Sequence, residues 1–108
     1  MKVPKKIDLA VKTIKTLDPT NPKKVSDLAP EVGTTVNFLE QITRRLRMAN
    51  LIKTHRRGPG GGYLATESKV TLYDVSKALQ YTDEEMSGLD GELLLIFKSW
   101  VVRNGTEV

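Results

Sequence analysis

The sequence predicts a mainly α-helical chain interrupted by one small β-hairpin. Three observations lead there. Apolar residues recur at helical spacing over most of the first fifty positions. The period then changes around a glycine-rich stretch, "RRGPGGGY", residues 56–63. Finally, a short and almost wholly apolar segment, "LLLIFKSWVV", residues 93–102, follows an acidic connection.

Taken in order, Ile7, Ala10, Val11, Ile14 and Leu17 fall on one face of a first helix, which "DPTNP" ends with two prolines. In "KKVSDLAPEVGTT", Ser26 is the expected N-cap of a short second helix that buries Leu28, Ala29 and Val32. Gly33 suits its left-handed end. Pro30 is expected near the first turn, where a missing N–H is tolerated. Thr34 or Thr35 then caps a longer third helix in "VNFLEQITRRLRMAN". Its inward stripe is expected to be Phe38, Ile42, Leu46 and Ala49, supported by Leu39, with Asn37, Gln41, Arg44, Arg45 and Arg47 outward. A short helix, a tight Gly-containing turn and a longer helix with a cationic outer face form the helix-turn-helix pattern, whose second helix enters the DNA major groove.

"LIKT" and "YLAT" are β-capable segments on either side of the glycine loop, so they read as a hairpin. A hairpin directly after a helix-turn-helix is a wing. Thr71 with Asp74 approaches a capping box for "LYDVSKALQ", which turns Leu72, Val75 and Leu79 to the core. "YTDEEMSGLDGE" reads as a polar, acidic connection. The closing segment is too short to span a membrane and too apolar to lie free, so it is expected to be a helix that dimerises the chain through Leu93, Ile96, Phe97 and Trp100. The expected organisation is therefore a winged helix-turn-helix domain over residues 1–81 and an acidic linker with a C-terminal dimerisation helix over residues 82–108.

Composition narrows the function. Fourteen of the 17 basic side chains precede residue 71, whereas residues 71–108 hold seven of the 13 acidic ones. Between Gln41 and Thr66 stand Arg44, Arg45, Arg47, Lys53, Arg56 and Arg57 without one acidic residue, a segment that attracts polyanions. The chain has no cysteine, which excludes disulfides, thiolate metal sites and thiol catalysis. No run approaches the ~20 apolar residues that cross a bilayer, so a cytoplasmic protein without membrane contact is expected.

The glycine loop lacks the Lys-Ser/Thr of a P-loop and the strand-loop-helix setting of a dinucleotide site. As a wing tip it makes sense, because glycines let backbone approach phosphates while an arginine enters the minor groove. The wing contacts are expected from Arg56, Arg57, Gly58, Pro59 and Gly60. Thr35, Asn37, Glu40, Gln41 and Arg44 are candidates for the major groove, and Arg45, Arg47, Lys53 and His55 for phosphates. Glu40 admits two accounts: an i to i+4 pair with Arg44, or acceptance of a hydrogen bond from cytosine N4. His55 is the only histidine and has no nucleophile or ligand set around it in the sequence, while Asp83, Glu84 and Glu85 read as solvated acids. No enzyme chemistry is expected, nor any metal or other cofactor. Tyr63 reads as apolar support at the base of the wing.

The stretch "FLEQITRRLRMANLIKTHRRGPGGGYLA" followed by "VTLYDVSKAL" resembles the Rrf2-like winged-helix transcription factors, the family of bacterial iron-sulfur-cluster regulators and nitric-oxide-sensitive repressors. The similarity runs from about Ile7 to Gln80. It implies a dimer of winged helices, with a long C-terminal helix crossing to the partner, on palindromic promoter DNA. It also implies base reading by Glu40 and by the wing residue Arg57. Cluster-holding members keep cysteines between the two C-terminal helices, where this chain has "QYTDEEMSGLDGE". The C-terminal region, ending at Val108, is expected to be shortened. The resulting expectation is a homodimeric, cluster-free repressor on double-stranded DNA. Two alternatives stay open: a shortened relative that pairs with a full-length regulator of the family, and a basic RNA-binding or nucleoid-coating module.

Overall fold

The computed structural model describes residues 4–55, 62–87 and 92–105. Helix α1, Lys5–Thr16, buries Ile7, Ala10 and Ile14 as its spacing requires, and also Leu9 and Thr13. Its burial is this broad because the next two helices, the helix after the hairpin and the C-terminal strand all pack on it. Helix α2, Val25–Val32, starts from Lys24, so Ser26 lies inside the helix rather than capping it. Pro30 is the sixth helical residue, beyond the first turn, and its missing N–H leaves the Ser26 carbonyl without its usual helical donor. Helix α3, Val36–Met48, begins at Thr35, whose Oγ1 accepts from the Phe38 N–H at 3.2 Å.

Helices α2 and α3 stop by the same device as α4, Leu72–Ala78. A residue in the left-handed region, Gly33 (φ 83°), Asn50 (φ 61°) or Gln80 (φ 71°), turns the chain. The following N–H then reaches back five residues: Thr34 to Ala29 O at 2.9 Å, Leu51 to Leu46 O at 2.9 Å and Tyr81 to Ser76 O at 3.0 Å. Glycine adopts this conformation freely, and asparagine more readily than most side chains.

Strands β1, Ile52–His55, and β2, Gly62–Ala65, pair antiparallel with Ile52 opposite Ala65 and His55 opposite Gly62. Strand β3, Val70–Thr71, leads into α4 through a complete capping box. The Asp74 N–H donates to Thr71 Oγ1 at 3.2 Å, and the Thr71 N–H donates to Asp74 Oδ2 at 2.9 Å.

The acidic connection contains a short helix, α5, Asp83–Ser87, which buries Met86 in the core. The Tyr73 hydroxyl donates to Asp83 Oδ1 at 3.0 Å, and Lys77 Nζ lies 3.4 Å from the same oxygen. The tyrosine hydrogen bond lowers the Asp83 carboxyl from its ordinary value and raises the Tyr73 phenol. The carboxylate's share of this tie is therefore in place above the ordinary carboxylate range and is lost as pH falls through the lowered value.

The apolar C-terminal segment differs most from expectation. Helix α6, Glu92–Ser99, ends one residue before Trp100, and the chain continues as strand β4, Val101–Arg103, antiparallel to β3. Three β-capable residues at its end, Trp100 to Val102, favour extension, and β3 supplies the ladder. Phe97, expected to face a partner, is 3% exposed in the chain's own core, while Leu93 is half-buried. Leu95 (68%), Ile96 and Trp100 (51%) are the large apolar side chains left outside.

One apolar core runs through all these elements, from Ile7, Leu28, Leu39 and Leu46 to Ile52, Val75, Phe97 and Val102. The buried hydroxyls of Thr13, Thr43 and Ser76 each donate to the carbonyl four residues back, Leu9, Leu39 and Leu72, at 2.8, 3.0 and 2.9 Å. They are thus buried without loss of hydrogen bonding. Phe97→Ala is expected to lower the unfolding free energy by about 3–5 kcal/mol. Lys15→Ala, at an exposed position of α1, should change it by less than about 0.5 kcal/mol. Urea unfolding of the two variants measures the difference.

Candidate nucleic-acid interface

Helix α3 has two unlike sides. Leu39, Ile42, Thr43 and Leu46 are buried, with Phe38 half-buried on the shoulder. This stripe differs from the expected one, because Ala49 is exposed in the turn that follows and Leu39 is a central member rather than a support. Rotation about the helix axis is fixed by that stripe, so Asn37, Glu40, Gln41, Arg44, Arg45 and Arg47 all stand in solvent. Asn37, Gln41 and Arg44 follow one another at helical spacing, and Glu40, Arg44 and Arg47 form the adjoining row.

Among the described residues no ion pair joins Glu40 to Arg44; the pairs formed are Lys12–Asp8, Lys23–Glu31 and Lys77–Asp83. The local account of Glu40 is thus not realised, and its carboxylate stands exposed on the outer face. Thr35 is exposed at the N-terminus of α3 with its oxygen engaged by the Phe38 N–H. As at any helix start, the N–H groups of the first turn that lack an intrahelical partner favour an anion there.

The wing is held by more than its own hairpin. Lys23, just before α2, bridges to Tyr63: the Lys23 N–H donates to Tyr63 O at 3.0 Å and the Tyr63 N–H to Lys23 O at 2.8 Å. The Ala65 N–H donates to Asp18 O at 3.0 Å. These bonds fix the base of the wing to the connection between α1 and α2. Tyr63 packs against the core as the sequence leads one to expect. Lys53 is exposed on β1 and His55 is half-buried at its end. The expected wing-tip contacts, Arg56, Arg57, Gly58, Pro59 and Gly60, lie outside the described residues.

Two features escaped sequence reasoning. Gly62 reads in the sequence as one more loop glycine, yet it is a strand residue lying against Lys23. A Cβ there would stand 2.5 Å from Lys23 O, which is the close backbone approach that strand glycines serve. The second is a cleft of about 340 Å³ beside α3. Phe38, Ile42 and Leu79 floor it, and Lys6, Arg44 and Arg45 stand at its edge. Lys6 comes from the start of α1, a position distant in sequence and therefore silent in any local pattern.

A helix-turn-helix followed by a two-stranded hairpin defines the winged-helix class. Within it, the chain belongs to the Rrf2 family of iron-dependent transcriptional regulators, which it matches over residues 4–91. It is similar to the HTH-type transcriptional regulators IscR of Klebsiella pneumoniae (strain 342), 33% identical over 67 residues, and of Enterobacter sp. (strain 638), 42% identical over 67 residues. Each match covers 62% of this chain and 40% of the relative, so the chain is matched to less than half the length of these proteins. The fold is that of CymR, the global cysteine regulator of B. subtilis (TM-score 0.76, 20% identity, covering 94% of this chain and 93% of that one). It is shared by T. potens IscR (TM-score 0.71, 19% identity, covering 94% and 83%). Among the described residues no helix is long and apolar enough to cross a membrane.

The family's description implies iron, and the residues of this chain do not fit an iron-sulfur cluster. The sequence holds no thiolate ligand. Asp83, in the region where the resemblance implies cluster ligands, is already bonded to Tyr73 and faces Lys77. Among the described residues no three His, Asp or Glu side chains converge as metal ligands would.

Gly62→Ala is expected to push β2 away from Lys23 and break both bridge bonds, costing about 1–3 kcal/mol of stability. Hydrogen exchange at the Lys23 and Tyr63 amides should accelerate far more than at Leu39 in the core. Unchanged exchange at both amides would contradict the role given to Gly62.

Proposed function

We propose that the chain is a cytoplasmic, homodimeric, cluster-free transcriptional repressor that binds a palindromic operator in double-stranded DNA through α3 and the wing. The observation that carries this reading is the outer face of α3: three arginines and two amides, all exposed and next to an anchored hairpin. Such a face has no structural use of its own, and its charge and shape match the major groove. Base contacts fall to Thr35, Asn37, Glu40, Gln41 and Arg44, wing contacts to Arg56, Arg57, Gly58, Pro59 and Gly60, and phosphate contacts to Arg45, Arg47, Lys53 and His55. The exposed position of Glu40 without an ion pair to Arg44 supports acceptance from cytosine over local pairing.

Dimerisation is assigned to the outer side of α6 and the residue after it. Ile96 and Trp100 keep the role expected from the sequence, Leu95 joins them, and Leu93 flanks them. A two-fold dimer places the recognition helices about 34–36 Å apart, one turn of the DNA helix. The repressor role follows from the simplest consequence of occupying a promoter. The reading is of a regulator rather than an enzyme, in keeping with the family.

Binding isotherms on a specific site and on random DNA over a range of salt concentrations test the assignment. Arg57→Ala should cost on the order of 1–3 kcal/mol on the specific site and much less on random DNA. Glu40→Ala should relax base preference, whereas Lys53→Ala should weaken both DNAs alike and reduce the salt slope by about 0.9. Equal losses on both DNAs for Arg57→Ala and Glu40→Ala would remove the base-reading roles.

A further inference from the structure

The cleft between the start of α1, the side of α3 and the end of α4 has an apolar part that DNA contact does not use. Its floor is hydrocarbon: Ile42 is buried, and Phe38 and Leu79 are half-buried. Its edge carries Lys6, Arg44 and Arg45. Among the described residues, no acidic side chain lines it and none of these three cations takes part in an ion pair. A phosphate backbone needs cations but gains nothing from a recess floored by Phe38 and Leu79. An apolar body ending in an anion uses both. The volume of about 340 Å³ falls at the small end of the roughly 300–1,000 Å³ typical of small-molecule pockets. The planar fork of an arginine pairs two-to-two with a carboxylate, and such charge-assisted bonds strengthen where an apolar floor excludes water. Met48, 69% exposed at the edge of the cleft, has the unbranched thioether chain that repacks around differently shaped ligands.

We propose that this cleft binds a small amphipathic organic carboxylate and that the ligand and DNA compete for α3. The proposal rests on the reading of α3 as the DNA-facing helix. Gln41 and Arg44 line the cleft and also belong to the candidate base-reading edge. An Arg44 guanidinium turned onto a carboxylate in the cleft is withdrawn from the groove, and the ligand's charge beside it repels phosphate. Filling the cleft therefore releases DNA, which makes this chain responsive to a metabolite-sized acid without any metal cluster.

The test uses naphthalene-1-carboxylate, with naphthalene-1-carboxamide as its uncharged match, titrated into the isotope-labelled full chain and followed by amide NMR. Saturable shifts are expected at Lys6, along Phe38 to Met48 and at Leu79, with a dissociation constant below about 1 mM and about tenfold weaker binding of the carboxamide. Lys6→Glu should abolish these shifts while keeping a folded spectrum, and Met48→Glu, at an exposed position, should do the same. Shifts centred on Leu95 and Trp100, equal binding of the carboxamide, or no saturation would overturn the site. In a second arm, at ten times the probe's dissociation constant, affinity for operator DNA should fall about elevenfold. Unchanged DNA affinity with the cleft filled would overturn the competition. If the unliganded chain binds no DNA at all, the reading of α3 fails, and the NMR arm still decides the ligand site by itself.

Discussion

Burial of Leu39, Ile42 and Leu46 fixes the rotation of α3 about its own axis, and with it the identity of every side chain that faces outward. Each of these residues gains about 1.5–3 kcal/mol from leaving water. A rotation of the helix by one residue would exchange buried leucines for arginines. The outer face is therefore specified by what the inner face refuses to expose. The Thr35 cap and the left-handed Asn50 set where this face starts and ends. Asn50 also aims the chain into β1, so the same helix end that completes the cationic face launches the wing.

The remaining elements hold α3 and the wing in one frame. Lys23 clamps the wing to the entry of α2, and Gly62 permits the approach. From the other end of the chain, the Arg103 guanidinium donates to Ile14 O and Leu17 O at 3.4 and 3.3 Å, which satisfies carbonyls at the negative end of the α1 dipole. The Leu72 N–H donates to Trp100 O at 2.8 Å. The segment proposed to pair two chains is thus bonded to the helix that packs on α3. The end of α6 is connected to α3 through one hydrogen bond and the packing of α4.

The sequence carried the helices, the hairpin and the two-sided α3, because helical spacing, glycine punctuation and charge are local signals. The Thr71–Asp74 box and Gly33 were legible for the same reason. What escaped depends on partners far along the chain. Phe97 and Trp100 share the apolar character of their neighbours, and only β3 decides that Trp100 to Val102 extend while Phe97 turns inward. Met86 looked like one apolar residue in an acidic connection, yet tertiary burial makes α5 around it. Lys6 and Leu79, more than seventy positions apart in the chain, both line the cleft beside α3, and a local pattern holds no trace of that meeting. Ser26 and Pro30 mislead in the opposite way, since each has a textually plausible role one to several positions from where α2 begins.

The central claim is that α3 and the wing read base sequence as part of a two-fold dimer. Selection of bound fragments from a random DNA pool by the purified chain tests it most directly. An inverted repeat whose half-site centres lie one helical turn apart, about 10–10.5 base pairs, should be enriched. Recovery of DNA without any enriched sequence, at an affinity set by salt alone, would contradict it.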